Sequence, residues 1–363
     1  YRPRMTPTSL AVALFFLSLT VSTFTGVDWY RSFWDNHERM LGLFTISHVI
    51  VGYFMATTVV RTPAEWRWHL RVFLGAAALV MLLGFLQKAN PEFLLNRGSD
   101  RVSATLGNAI YYSGYGLFTF FIGLMLFADK TQSTSWRYLS LALSLTGFFG
   151  IFLGGTRGTF LGLLAAGGAV CLAYAIALKD HPKIRRVCTG VLIGGAALLA
   201  ILFVFRETPA VSRIPAVGRL LNTPIASLSS NTRVMAWGVA IDAWRERPVF
   251  GWGPNNFYYA FNEYYRPAFL RYGWGETWFD NAHNIIMNTL ATQGFVGILT
   301  YLAIFGAAGW SLWRAYRERL LTIHTAVLAT GFLVGHLVHN VFVFENPTSY
   351  LYFFFFFAFV NQS

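Results

Sequence analysis

Apolar runs recur from one end of the chain to the other, each about 20 residues long, which is the length an α-helix needs to cross the hydrocarbon core of a bilayer. Stretches that read as spans lie near 8–26, 40–60, 69–88, 106–128, 138–154, 159–178, 187–205, 284–313, 322–341 and 349–361. The expected fold class is all-α, a polytopic transmembrane helical bundle of about ten spans with one long helical loop. The eighth stretch is too long for a single straight crossing and is expected to bend near Gly294, while the last, around Tyr350-Leu-Tyr-Phe, is short. Three regions follow from this pattern: 1–205 with seven spans, the loop 206–283 with amphipathic helices, and 284–363 with three spans.

Composition points the same way. Only 12% of the 363 residues are charged and 18% are aromatic, with 35 Phe; a soluble domain carries about 25% charged residues. The net charge of +12 would suggest nucleic acid in a soluble chain. Here the basic residues sit in short connections between apolar runs, so topology accounts for them and no nucleic-acid partner is expected. The two cysteines, Cys171 and Cys188, lie in apolar runs and form neither a disulfide framework nor a zinc pattern. The first apolar stretch is long enough to span and lacks a cleavage-like end, so it does not read as a signal peptide. The sequence begins at Tyr1 rather than Met, and a preceding segment is expected to be missing from it.

Orientation follows from Lys and Arg. One set of loops holds fourteen: Arg2, Arg4, Arg61, Arg67, Arg71, Lys130, Arg137, Lys179, Lys183, Arg185, Arg186, Arg314, Arg317 and Arg319. The short loops opposite hold six: Arg31, Arg39, Lys88, Arg97, Arg101 and Arg157. The positive-inside rule puts the first set, and both ends of the chain, in the cytoplasm. The spans carry few ionisable groups at mid-depth and no charge relay of the kind found in pumps. The search for chemistry therefore moves to the far face, where the long loop lies.

Within that loop, Asn231 to Trp244 reads as a helix, with Asn231 as N-cap and an apolar face of Val234, Trp237, Ile241 and Trp244. Pro248 and Gly251 end it. Gly251-Trp-Gly-Pro-Asn-Asn-Phe257 then makes a turn, and no strand precedes it, which rules out a dinucleotide site. Phe257 to Phe279 is crowded with aromatic rings; it reads either as a belt at the membrane surface or as a platform that stacks on sugar or lipid.

His283 stands at the loop's end, where the eighth helix starts. A helix N-terminus disfavours a protonated imidazole, and a neutral one can act as a general base; the alternative is an ordinary surface histidine. Arg157, in the tight turn Gly154-Gly-Thr-Arg-Gly-Thr159, and Arg233, in the first turn of the loop helix, read either as phosphate-binding guanidinium forks or as interfacial side chains that snorkel. Asp280 and Glu276 are the acids nearest His283, too scattered to hold Mg²⁺, and no metal or cofactor is expected. His336 and His339 lie one turn apart and are expected to serve structural hydrogen bonds rather than a metal.

Together these features resemble the O-antigen ligase family, part of a larger group with the O-antigen polymerases and some protein O-oligosaccharyltransferases. The resemblance rests on His283-Asn284, nine residues, then Gly294-Phe-Val-Gly297; on the Thr-Arg-Gly turn at Arg157; on Arg233, fifty residues before the histidine; and on the Gly-x-Gly segment that includes Asn256. Family members usually have more spans than the ten read here, which fits a missing N-terminal segment. The resemblance implies an enzyme in the bacterial inner membrane whose active site faces the periplasm. Its donor would be O-antigen polysaccharide on undecaprenyl pyrophosphate and its acceptor a hydroxyl of lipid A-core. His283 would be the general base, with Arg157 and Arg233 on the pyrophosphate and Asn284, Gly294, Gly297 and Asn256 in support. In-line attack would invert the anomeric centre; a retaining enzyme would need two carboxylates about 5 Å apart, and no such pair is evident. A polymerase or a protein O-oligosaccharyltransferase would share the donor and differ in acceptor. A transporter or flippase would instead show inverted repeats and broken helices with polar groups at mid-membrane, and no clear repeat is seen.

The orientation can be tested without activity. With Cys171 and Cys188 replaced by alanine, a cysteine at Ser229 should react with an impermeant thiol reagent in intact spheroplasts. One at Ser135 should react only after lysis. The reverse pattern would turn the protein over.

Overall fold

The computed structural model describes residues 5–94, 101–178, 181–214, 217–222 and 232–362, and all of the secondary structure in them is helical. Asn231 and Ser229 fall outside the described residues, as do the side chains of Arg219 and Glu276. Each of the ten apolar stretches contains a helix: Pro7–Thr25, Leu43–Val59, Pro63–Ala89, Ala109–Ala128, Thr134–Gly154, Arg157–Ala177, Pro182–Val204, Ile285–Arg317, Ile323–Val341 and Pro347–Asn361. Seven of them are long and apolar enough to cross a membrane on their own criteria. Three expected spans fall short. Leu43–Val59 has 17 residues, Pro347–Asn361 has 15, and Ile323–Val341 carries His324, His336, His339 and Asn340 in an otherwise apolar run. The protein is a polytopic helical membrane protein.

Helix starts are written locally. Thr6, Thr62, Asn108, Ser133 and Asn346 each accept a backbone N–H in the first turn of the helix that follows, and proline opens four of the helices. Both features satisfy or remove donors that a helix N-terminus leaves over.

The described chain forms two compact units. One comprises 62–223 and 312–339. In it, Ala109–Ala128 and Thr134–Gly154 pack closely because small residues face each other: a Cβ on Gly147 would lie 2.6 Å from the Gly116 carbonyl oxygen. Close backbone approach of this kind drives helix association in lipid, where apolar side chains gain little by leaving it. Arg101 caps the end of Thr134–Gly154, with Nε donating to the Gly154 carbonyl at 3.0 Å and Nη2 to Thr156 Oγ1 at 2.8 Å. His339 Nδ1 lies 2.9 Å from Thr159 Oγ1.

The other unit comprises 1–61, 224–311 and 340–362. Pro7–Thr25, Leu43–Val59 and Pro347–Asn361 pack together, with Tyr53 edge-on to Phe354. Phe15 meets Tyr301, and Phe305 meets Phe353, on the long helix. Glu345 is buried and accepts from Asn340 Nδ2 at 2.6 Å, Tyr301 Oη at 3.2 Å and Ser349 Oγ at 2.5 Å.

The expected bend is present. Gly294 sits at φ 67°, ψ −164° inside Ile285–Arg317, a conformation essentially confined to glycine. An α-helix pairs each N–H with the carbonyl four residues back, so the bend releases the N–H groups of Phe295 and Val296 and the carbonyls of Ala291 and Thr292. The segment after the loop helix takes up all four. Phe295 N donates to Pro248 O at 2.8 Å and Val296 N to Val249 O at 3.2 Å, while Ala291 O and Thr292 O accept from Trp252 N at 3.0 Å and Gly253 N at 2.7 Å. Ser22 Oγ, from the first helix, donates to Phe250 O at 2.7 Å and reaches Thr292 O at 3.0 Å.

Two glycine substitutions in this helix should have opposite signs. Gly294→Ala forces a positive φ on alanine and a Cβ 2.4 Å from the Val249 backbone, so the thermal midpoint in detergent should fall. Gly309→Ala meets open space and should leave it unchanged or raise it, since glycine costs about 0.5–1 kcal/mol in a helix relative to alanine. Equal effects would show that the bend is not under constraint.

Candidate functional site

The loop helix Thr232–Glu246 forms as expected, but with a different buried face. Ala236, Val239, Ala240 and Ala243 are fully buried, whereas Val234 is exposed and Trp237, Ile241 and Trp244 are half-buried. Small residues win the inside because four aromatic rings press on them: Phe257, Phe261, Phe269 and Phe279 share that core. The two indoles stay at its margin, where Trp237 Nε1 donates to Ala282 O at 3.0 Å and Trp244 Nε1 to Pro248 O at 3.1 Å. The aromatic stretch thus divides. Its phenylalanines build a small core, and Trp274 and Trp278 remain exposed.

That core carries the His283 turn. Asn284 Oδ1 caps the long helix by accepting from Ile286 N at 2.9 Å and Met287 N at 3.3 Å. Asn288 Oδ1 accepts from Ala282 N at 3.3 Å, and Asn281 Oδ1 from His283 N at 3.0 Å. His283 itself takes a left-handed φ of 51°, a conformation uncommon outside glycine and concentrated at functional sites. Its ring stands edge-on to Phe279 at 5.7 Å and to Phe344 at 5.2 Å. Nδ1 is buried with no hydrogen-bond partner among the described residues, so rings hold the imidazole and no carboxylate orients it through that nitrogen.

Burial pushes the His283 imidazole down to about 4, and the cation of Arg233 pushes in the same direction; Asp280 opposes and Arg39 adds a little. The helix N-terminus was the expected cause; desolvation and arginine charge supply the effect instead. At neutral pH the imidazole is therefore uncharged.

Arg233 stands in the first turn of the loop helix, with Nη1 donating to Phe342 O at 3.3 Å; the structure brings it within electrostatic reach of His283. Arg157 opens the helix Arg157–Ala177 in the other unit, after the left-handed Gly155. Gly294 makes the bend, and Gly297 follows one turn on, where a Cβ would meet that of Gln293 at 2.3 Å. Asn256 is buried and binds inward: Nδ2 donates to Trp252 O at 3.0 Å, Asp28 O at 3.1 Å and Ser32 Oγ at 3.1 Å. Asn284, Asn256 and the two glycines are thus the framework behind His283.

The sequence did not single out Arg39 and Phe344 as site residues. Arg39 makes a two-pronged pair with Asp280, Nε to Oδ2 at 2.7 Å and Nη2 to Oδ1 at 3.1 Å, and lies 4.8 Å over the Phe344 ring. Arg31 donates to Asn255 O at 3.2 Å and covers the face of Tyr258 at 3.9 Å. Nearby, burial raises the Asp35 carboxyl above its ordinary range, against two backbone N–H groups and Arg31 that lower it. The only sequence signal for these residues was that Arg31 and Arg39 fall on the same side of the membrane as the loop.

Residues 141–302 match the family described as O-antigen ligase. The matched segment includes Arg157, Arg233, Asn256, His283, Asn284, Gly294 and Gly297 and leaves out Arg31 and Arg39. The chain is also 25% identical over 232 residues to the teichuronic acid biosynthesis protein TuaE of Bacillus subtilis (strain 168), covering 62% of this chain and 43% of that protein. The match therefore spans less than half the length of that relative.

The low proton affinity of His283 is measurable directly. Diethyl pyrocarbonate acylates neutral imidazole, so labelling of the His283 peptide, read by mass spectrometry, should stay flat from pH 8 to pH 5. An ordinary imidazole would lose labelling around pH 6.5. Because the Arg233 cation depresses the pKa, Arg233→Ala should move the fall-off to higher pH. A wild-type profile centred near 6.5 would mean that the ring is neither desolvated nor pressed by cations.

Proposed function

We propose that this protein is a glycosyltransferase that moves an O-antigen polysaccharide from undecaprenyl pyrophosphate to a hydroxyl of lipid A-core, on the periplasmic face of a bacterial inner membrane. The observation that carries the reading is the neutral His283 imidazole, clasped by Phe279 and Phe344 with Arg233 beside it. The similarity of 141–302 to the O-antigen ligase family supports the reaction class, and the bias of Lys and Arg supports the orientation.

In this reaction a His283 ring nitrogen accepts the proton of the acceptor hydroxyl as its oxygen forms a bond to the anomeric carbon. The bond from that carbon to the pyrophosphate oxygen breaks, and its electron pair leaves with the pyrophosphate. In-line attack inverts the anomeric centre. Charge grows on the departing oxygens, and Arg233 opposes it; Arg157 is given the same task on the resemblance of its Thr-Arg-Gly turn. Fixed cations aimed at developing charge are typically the largest contribution an enzyme makes to a step of this kind. Guanidinium groups supply that charge without a metal. Among the described residues, no three acidic, histidine or cysteine side chains gather into a metal site.

A second reading keeps the donor and changes the acceptor, making the protein a polymerase or a protein O-oligosaccharyltransferase. The likeness to a teichuronic acid biosynthesis protein gives it weight.

The test is transfer by purified protein with lipid-linked donor and lipid A-core, a growing glycan, or a peptide as acceptor. Product should form on lipid A-core and persist in EDTA. His283→Ala should cost about 10²–10⁴ in rate, the usual worth of a general base, while the protein still inserts. Arg233→Lys should be strongly impaired, because lysine keeps the charge but loses the planar fork. Near-wild-type turnover by His283→Ala would remove the base. Loss of activity in EDTA, restored by Mg²⁺, would remove the arginine account.

A further inference from the structure

The short connection between the last two helices, residues 342–346, meets both His283 and Arg233. The Phe342 carbonyl accepts from Arg233 Nη1 at 3.3 Å. The Phe344 ring stands 5.2 Å from the His283 imidazole, tilted 60° to it, with the Arg39 guanidinium 4.8 Å over its face. One connection thus holds the arginine and covers the imidazole. Val343, Phe344, Glu345 and Asn346 are all buried, so it packs as a strap and not as an open loop.

Glu345 ties this strap to three helices. Its Oε1 accepts from Asn340 Nδ2 at 2.6 Å, in the last turn of the helix before, and from Tyr301 Oη at 3.2 Å, on the long helix beyond the bend. Its Oε2 accepts from Ser349 Oγ at 2.5 Å, in the first turn of the helix after. Tyr301 is itself fixed, buried between Phe15 and Phe305. Moving a buried carboxyl group away from its donors is costly, and donors carried on three helices define one place for it. Asn346 and Val343 add backbone anchors on either side: Asn346 N donates to Ser349 Oγ at 2.7 Å and Val343 N to Asn340 O at 3.3 Å. Phe344 is one peptide away from the carboxyl-bearing residue and Phe342 three residues away, so the position of Glu345 sets theirs.

We infer that Glu345 is a positioning residue: its clamp fixes the strap so that Phe344 covers the His283 imidazole and the Phe342 carbonyl holds Arg233 beside it. The part this plays in catalysis rests on the transfer reaction proposed above. Arg233, Asp280 and Arg39 are the charged groups that act on His283, and Glu345 is not among them. Its influence passes through the strap. Released from the clamp, Phe344 gives way and water reaches the imidazole, which favours the protonated ring; a retreat of Arg233 acts in the same direction. Removing a negative charge would by itself act in the opposite direction. The sign of the change at His283 therefore separates positioning from a direct electrostatic role.

Diethyl pyrocarbonate labelling of His283 in the folded, full-length protein reads this without activity. In Glu345→Ala the imidazole should move part of the way from about 4 toward an ordinary value near 6.5. Labelling at pH 5 should then fall to about half of that at pH 8, where wild type stays flat. Glu345→Gln can still accept from Asn340 and Tyr301 through its amide oxygen while its amide nitrogen donates to Ser349 Oγ, so its profile should stay flat. Tyr53→Ala removes a buried side chain that meets Phe354 in the same unit; it should lower the thermal midpoint and leave the profile flat, which separates positioning from general loosening. Should Glu345→Ala fail to insert, Asn340→Ala deletes the donor at 2.6 Å and should shift labelling in the same direction. In the transfer assay the shifted variant should lose up to about 10² in kcat, the cost of misplacing a reacting group by about 1 Å. A flat profile in the alanine variant overturns the inference, as does an equal fall in Tyr53→Ala or in Glu345→Gln, or a shifted profile with wild-type kcat. If wild type forms no product with any acceptor, the transfer reading fails and the labelling still decides whether Glu345 positions the ring.

Discussion

Four backbone hydrogen bonds between a broken helix and the segment beside it hold this site together. The bend at Gly294 removes two intrahelical bonds, and the stretch Pro248–Gly253 replaces them with two donors and two acceptors of its own. Left unpaired, each of those groups would cost about 1–3 kcal/mol in a protein interior, and more against lipid. The bend and the Gly-x-Gly turn therefore require each other, which is why each has a glycine where a Cβ would strike the other's backbone at about 2.5 Å or less. From this junction the rest follows. Ser22 ties the first helix to it, Asn256 ties the segment at Asp28–Ser32 to it, and the half-helix that starts after Asn284 presents His283 at a fixed height above the bend.

Around His283 two kinds of electrostatic environment lie side by side. Phe279 and Phe344 strip water from the imidazole, and the cation of Arg233 pushes its proton affinity down further. One ring away, Arg39 and Asp280 cancel each other at 2.7 Å. Phe344 serves both: its ring is tilted 60° to the imidazole at 5.2 Å and its face meets the Arg39 guanidinium. The guanidinium is attracted by the negative face of the ring.

Much of this was legible along the chain, and the part that was not has a common cause. The spans, the bend at Gly294, the loop helix and the helix start after His283 all depend on neighbours within about four residues, the reach of helical periodicity and capping. The Arg39–Asp280 pair joins residues 241 apart, and nothing local at Arg39 marks it. The buried face of the loop helix was misread for a related reason. By hydrophobicity alone the tryptophans belong inside, but what packs there is decided by Phe257, Phe261, Phe269 and Phe279, which arrive later in sequence and fill the space that alanines leave. Likewise the Gly-x-Gly turn and the bend could each be recognised, whereas their pairing, across some forty residues, declares itself only in three dimensions.

The way His283 is held also bears on how the proposed reaction would be controlled. A base with a pKa of about 4 is neutral but weak, because readiness to take a proton falls with proton affinity. Two of the influences that depress it differ in kind. Burial between two phenylalanines is permanent, whereas the Arg233 cation is balanced once an anion settles against it. A bound pyrophosphate would bring negative charge to that cation, lift its pressure on the imidazole and raise the pKa toward neutrality, strengthening the base when the leaving group is in place. Without donor, the same imidazole has little tendency to deprotonate a hydroxyl. A carboxylate hydrogen-bonded to Nδ1 would have raised the proton affinity in advance; here burial sets most of it, and only the part owed to the nearby guanidinium is left to the substrate.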